Sequence, residues 1–299
     1  MDHFSPRLVV RTLALVLVLT CISARIDQPW AQEKNFLWKA AGDKNTVYIL
    51  GSIHLLKRDR AVLKPIVQEV FTDSKRLVLE IDLLKEGPEK FQRLLMQKGI
   101  DDDGKQLQQQ LSPETYKLAA ERADDLGIDL KLLAPFKPWV VALTMVVMQL
   151  QKLGYDPNLG IDHQLARRAK QVSKPVAGLE TAEFQIDIFS RLTAPEQEMF
   201  LRQSLLEMDQ LEKSVDDVVA VWENGDIARG EQLFLESMLA YPELKAKVLD
   251  ERNRSWIGQI ERFLKEDEDI LVVVGAAHLV GKEGVIELLK ARGHKLEQR

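Results

Sequence analysis

Along the chain, short apolar runs recur that end on a small or an acidic residue. Thr46–Leu50 (TVYIL) runs into Gly51, and Arg76–Asp82 (RLVLEID) stays apolar as far as Glu80. Lys174–Glu180 (KPVAGLE) closes on Glu180, and the run that starts at Ile270 (ILVVV) closes on Gly275. Continuous apolar runs of this length, bounded by turn residues, predict strands buried on both faces. A shorter run at Phe36–Ala40 precedes Gly42-Asp43-Lys44-Asn45, which is turn chemistry, so it should pair with Thr46–Leu50 as a hairpin.

Between the strands the apolar spacing changes to three and four. Ile66, Val67, Val70 and Phe71 predict a helix over Pro65–Thr72. Further helices are predicted over about Pro88–Lys98, Pro113–Leu126, Pro138–Leu153 and Ile161–Gln171, the second opened by a Ser112-Pro113 start signal. A helical tract from Ala182 to Leu264 should break near Thr193–Pro195, Asn224-Gly225 and Tyr241-Pro242, and a last helix should cover Gly281–Arg292. Strands separated by helices give an α/β fold with a mixed, mainly parallel central sheet. No Gly/Ser-rich linker divides the chain, so one domain is expected, with a helical insertion over about 88–265.

The N-terminus reads differently. Arg7 and Arg11 precede the apolar run Leu13–Leu19, and small residues follow at Ser23, Ala24 and Ala31. This is the layout of a secretory signal, with cleavage near Ala24 or Ala31 and residues 32–299 as the exported, periplasmic chain. An uncleaved membrane anchor, or lipidation at Cys21 despite the unfavourable Thr20, are the alternatives. No later segment is expected to span a membrane; the very apolar Pro138–Leu153 helix is short and belongs in a core. Cys21 is the only cysteine, so no thiol chemistry is expected in the mature chain. A net charge of −5 without a basic stripe excludes nucleic acid as a partner.

The candidate chemistry lies at the strand ends. Gly51-Ser-Ile-His54 and Gly275-Ala-Ala-His278 repeat one device: a buried strand, a glycine and a histidine three residues on. Each glycine allows a sharp turn or a close approach, and functional groups in open α/β sheets collect beyond strand carboxyl ends. Of the other histidines, His163 reads as a solvated or capping residue at a helix start and His294 as exposed. Glu80 and Glu180 close apolar strands, which is costly unless each is paired or bound to a metal. Two imidazoles with one or two carboxylates suit a divalent ion, zinc, manganese, cobalt or iron, that acidifies water and polarises a carbonyl; a remaining carboxylate could act as base. Gly-x-Ser-x-Gly, His-Glu-x-x-His, Walker and Rossmann signatures are absent.

The segments YILGSIHLL, LVLEID, GID with HQLARRAK, KPVAGLET, VLDERNRSW (Val248–Trp256) and VVVGAAHLVGKEGVIELLKARGHKL occur in the order found in the TraB/GumN family. From about Phe36 to the C-terminus the chain resembles that family, bacterial relatives of the animal TIKI metalloproteases. The resemblance implies two related αβ halves around a shared sheet, with His54, His278 and Glu80 as the metal and catalytic set. It implies that Arg252 and Asn253 assist substrate or transition-state binding; from the residues alone, an arginine in DERNRSW is a helix-surface or salt-bridge residue. The animal relatives are membrane-tethered proteases using manganese or cobalt, and the conjugative relatives are associated with peptide-pheromone shutdown. Three readings are open: a metal-dependent hydrolase of peptides or small proteins, a non-catalytic peptide- or metal-sequestering module, and a structural protein whose histidines close turns.

Overall fold

The computed structural model describes residues 34–239 and 241–299. The signal-segment expectation for residues 1–31, Cys21 included, lies outside the described residues.

Six strands form one mixed sheet: β1 (Leu37–Ala41), β2 (Thr46–Ser52), β3 (Arg76–Ile81), β4 (Val176–Glu180), β5 (Ile270–Gly275) and β6 (Leu296–Gln298), in the order β4-β3-β5-β2-β1-β6. β4, β3, β5 and β2 are mutually parallel, while β1 runs antiparallel to β2 and β6. The predicted hairpin pairs Leu37 with Leu50 and Ala41 with Thr46. Its turn is pinned by Asn45, which donates to the carbonyls of Phe263 and Glu268. β5 is buried at every position, as its unbroken Ile-Leu-Val-Val-Val run requires of a central strand. It lies between β3 and β2, so the two segments that carry Gly-x-x-His sit side by side, with Ser52 opposite Gly275.

The longer helices are α1 (Pro65–Asp73), α2 (Leu83–Gly99), α3 (Pro113–Asp125), α4 (Pro138–Lys152), α5 (Ile161–Gln171), α6 (Ala182–Ser190), α7 (Ala194–Glu207), α8 (Leu211–Asn224), α9 (Ile227–Leu239), α10 (Glu251–Phe263) and α11 (Val285–Ala291). α2 starts five residues before the predicted Pro88. Asp82 caps a first turn by accepting from Leu84 N and Lys85 N, and Gly87 (φ 64°, ψ 157°) then kinks the helix. α11 starts later than predicted because Gly281 adopts φ 79° and Gly284 becomes the cap. α7 opens with a capping box between Thr193 and Glu196. β6 had no sequence signal: it is three residues long, only Leu296 of them apolar, and ordered by the edge of β1.

Residues from β1, β2, β3, β5, α1, α5, α8, α10 and α11 share the main core. A second core, including Ala119, Ala123, Val141, Met145, Leu201 and Leu205, joins α3, α4 and α7. α4 is therefore a core helix, and no helix among the described residues is long and apolar enough to cross a membrane. Residues 88–265 do not all leave the sheet, since the chain returns through α5 and β4 before entering the second half of the helical tract.

One side chain ties the helical tract to the first Gly-x-x-His. Trp222 of α8 donates its indole N–H to the carbonyl of Gly51 at 2.7 Å, inside the main core. Trp222→Phe leaves that buried carbonyl without its partner and is expected to cost about 1–3 kcal/mol. Urea unfolding checks this, and an unchanged midpoint contradicts it.

Candidate functional site

The four parallel strands end on the same edge of the sheet, the edge where ligands bind in open α/β sheets. Glu180 ends β4, Glu80 lies at the end of β3, and the chain leaving β5 and β2 turns directly into His278 and His54. Sequence positions far apart are thereby gathered at one place by strand register.

Glu80 is the hub. Its Oε1 accepts from the Gly275 backbone N–H at 2.7 Å. The same oxygen lies 3.9 Å from His54 Nε2 and 3.7 Å from His278 Nε2. Its Oε2 accepts from Arg252 Nη2 at 2.5 Å and Gln185 Nε2 at 3.1 Å. Gly275 is what keeps the centre open: a Cβ there would lie 3.0 Å from His54 Nε2, 3.3 Å from Glu80 Oε1 and 3.5 Å from His278 Cδ2. Gly51 has a different role, for a Cβ on it would meet Ala276 Cα at 3.1 Å, beside the second motif. Neither glycine has positive φ, so both serve close approach rather than a left-handed turn.

Arg252 forms the floor. Its Nε and Nη2 donate to Glu180, Nη2 also to Glu80, and Nη1 to the Val248 carbonyl at 2.9 Å and to His278 Nε2 at 3.1 Å. All five guanidinium hydrogens thus have partners within the protein. Trp256, one helical turn beyond Arg252, donates to Glu180 Oε2 at 3.1 Å and packs its ring 4.6 Å from that of His278. Asn253 donates through Nδ2 to the Glu283 carbonyl, and its Oδ1 lies 2.6 Å from His278 Nδ1. Arg252 and Asn253 therefore hold the carboxylates and the imidazole in place; neither points a free donor at solvent.

These contacts set the protonation states. Asn253 Oδ1 can only accept, so His278 carries its proton on Nδ1 and presents the Nε2 lone pair inward. Burial, together with the cations Arg252 and His54 and against the pull of Glu80, lowers His278 to about 3. His54 faces Asp162 Oδ1 through Nδ1 at 3.2 Å, with half of its side chain in solvent. Burial opposes its charge, but Asp162 and Glu80 outweigh it and raise His54 to about 9. Glu80 is lowered to about 2: burial opposes, and His278, Arg252, His54 and the Gly275 N–H outweigh it.

Of the residues singled out from the sequence, His54, Glu80, Glu180, Arg252, Asn253, His278 and Gly275 meet here, and Gly51 supports them. His163 is not in contact with Glu80; its neighbour Asp162 reaches His54, and also accepts from Ser52 Oγ at 2.9 Å. His294 is partly buried against Glu261, away from the strand ends. Sequence reasoning missed Asp162, Gln185 and Trp256. The GID segment, an acidic residue in the first turn of α5, and the four-residue spacing from Arg252 to Trp256 were the available signals.

Donor chemistry fits a divalent ion once His54, charged at neutral pH with its value at about 9, gives up the proton on Nε2. Both histidines have Nδ1 occupied by an outer partner, a carboxylate or an amide oxygen, and both aim Nε2 at one carboxylate oxygen, the arrangement that orients metal-ligating imidazoles. Gly275 leaves a cradle between them. As they stand, no group of three His, Cys, Asp or Glu among the described residues is closed tightly enough to hold an ion, and Arg252 Nη1 sits on the His278 lone pair.

Residues 36–298 match the TraB/PrgY/gumN family. The chain belongs to that family. It is similar to the YbaP proteins of Shigella flexneri and of Escherichia coli (strain K12), each 24% identical over 274 residues covering 89% of this chain and 98% of the relative. A protein of Treponema pallidum (strain Nichols) is 22% identical over 282 residues, covering 88% of this chain and 82% of its own. No solved structure matches the chain.

In chelator-treated protein, imidazole NMR is expected to place the His54 midpoint near 9 and to find His278 uncharged at neutral pH. Asp162→Asn should bring His54 down towards its ordinary range. Because the folded-state value is raised, the stability His54 contributes is complete below about pH 6.5 and is lost as pH climbs through about 9. A His54 midpoint below 7 contradicts the pairing with Asp162 and Glu80.

Proposed function

We propose that this protein is an exported, divalent-metal-dependent hydrolase that acts on peptides or small proteins in the periplasm. One observation carries the reading: two imidazoles from separate strand ends aim Nε2 at the same oxygen of Glu80, each fixed from behind through Nδ1. His54, His278 and Glu80 Oε1 would hold the ion, with manganese, cobalt or zinc suited to two nitrogens and an oxygen. When bound, such an ion lowers the pKa of water and polarises a carbonyl oxygen.

The chain's own residues supply the rest. His54 is the exposed face of the site, so substrate approaches past it. Asn253 fixes the tautomer of His278, Asp162 holds His54 through Nδ1, and Arg252 bridges Glu80 and Glu180. Glu180, 6% exposed and held by Arg252, Gln185 and Trp256, is a buried counter-charge rather than a ligand.

A second reading, peptide or metal sequestration without turnover, is favoured by the low proton affinity of Glu80. A carboxylate held near 2 is a weak base at neutral pH, where general-base catalysis works best with a pKa close to the operating pH. Glu80→Gln separates the two: for a hydrolase, turnover falls by about 10²-fold or more while the fold persists, whereas a sequestering protein shows no turnover to lose.

Metal analysis and peptide-cleavage assays test the proposal together. The wild-type protein is expected to hold about one divalent ion per chain, and His54→Ala and His278→Ala to lose ion and cleavage alike. Gly275→Ala should fold and yet lose the ion, because its methyl group fills the cradle. Undiminished cleavage by metal-free protein would overturn the proposal.

A further inference from the structure

We infer that Arg252 is an internal counter-cation that competes with the divalent ion for His278 Nε2, so that release of one guanidinium nitrogen gates loading of the site. The inference rests on the metal-binding reading above and concerns how the ion gets in.

The site is graded from mouth to floor. The side chain of His54 is 50% exposed, that of Glu80 12% and that of His278 5%. An ion arriving from solvent therefore meets His54 and Glu80 Oε1 first. Oε1 is the less committed oxygen, bonded only to the Gly275 N–H, while Arg252 and Gln185 take up Oε2. His54 has to release its Nε2 proton, which its exposed position lets pass to solvent; the last ligand, His278, is held by a side chain instead. Asn253 fixes the proton of His278 on Nδ1, which leaves one lone pair on Nε2, and Arg252 Nη1 donates into it from 3.1 Å. A lone pair engaged by an N–H is not free for a metal.

Arg252 can yield His278 without leaving its place, at the cost of one unpaired N–H. Nη1 keeps a second partner in the Val248 carbonyl at 2.9 Å, and Nε and Nη2 keep Glu180 and Glu80. The residue thus stays anchored while it yields His278. Its charge has the same sense as its contact. With the site empty of ions, the guanidinium balances two buried carboxylates; beside a divalent cation the same charge is repulsive, and more strongly so at low local dielectric. Arg252 makes the unloaded site stable and opposes its loading.

The test measures Zn²⁺ affinity by calorimetry for the wild-type protein, Arg252→Met and Arg252→Lys. Arg252→Met removes both the cap and the charge, and should bind Zn²⁺ tighter on the order of tenfold or more. Arg252→Lys keeps the charge without the fork and should fall between. Equal or weaker binding by Arg252→Met overturns the inference while leaving the metal-dependent reading standing. Absence of Zn²⁺ binding by all three chains overturns both. If the variants fail to fold, nitrogen NMR of the wild-type histidines decides. Zn²⁺ should perturb Nε2 of His54 and of His278 together, and a change confined to His54 contradicts displacement of Arg252.

Discussion

The buried guanidinium of Arg252 is the contact on which the rest of the site depends. It joins β3 through Glu80, β4 through Glu180, and the turn after β5 through His278, all from one residue on α10. A buried ion pair gains little by itself, because desolvation offsets most of the attraction unless every polar atom is matched. Here it is matched: five donors meet carboxylate, carbonyl and imidazole acceptors, and Trp256 covers the plane with Cζ 5.0 Å from its ring. Removing one partner would strand the others in a dry interior, which explains why the three strand ends hold a common geometry.

The helix that delivers Arg252 is itself irregular at that point. Residues Ala246–Asp250 form a single π turn directly before α10, a feature often found where a helix must shift register at a functional site. Lys245 and Asp250, five apart and so one π turn apart, pair at 2.6 Å along it. The Val248 carbonyl in the same turn accepts the Arg252 side chain. The irregular turn thus sets the rotation at which Arg252, Asn253 and Trp256 all face the sheet edge, the first two touching His278 and the third packing on it.

Much of this layout was legible from hydrophobic pattern. An apolar run that closes on a glycine or an acid names both a strand and the residue at its end, which is why Glu80, Glu180, His54 and His278 could be chosen before any coordinates. Adjacency could not be read, because nothing local to TVYIL or ILVVV states that β5 inserts between β3 and β2. The direction of Arg252 was equally hidden: DERNRSW is polar on most of its positions, and only tertiary packing turns one arginine inward. Asp162 was missed because nothing local to GIDHQ states which way the first turn of α5 faces, and only packing turns its carboxylate onto His54. β6 had no pattern to read, since an edge strand of only three residues, two of them polar, owes its order to its neighbour.

Taken together, strand register brings the two Gly-x-x-His turns to one carboxylate, and a buried arginine network keeps them there. Anomalous diffraction from crystals of the protein soaked in Mn²⁺ tests that convergence most directly. The expected result is a single peak within roughly 2.0–2.3 Å of His54 Nε2, His278 Nε2 and Glu80 Oε1, with both ring planes turned towards it. Peaks only at surface carboxylates, with the two imidazoles facing away from Glu80, would contradict a shared site.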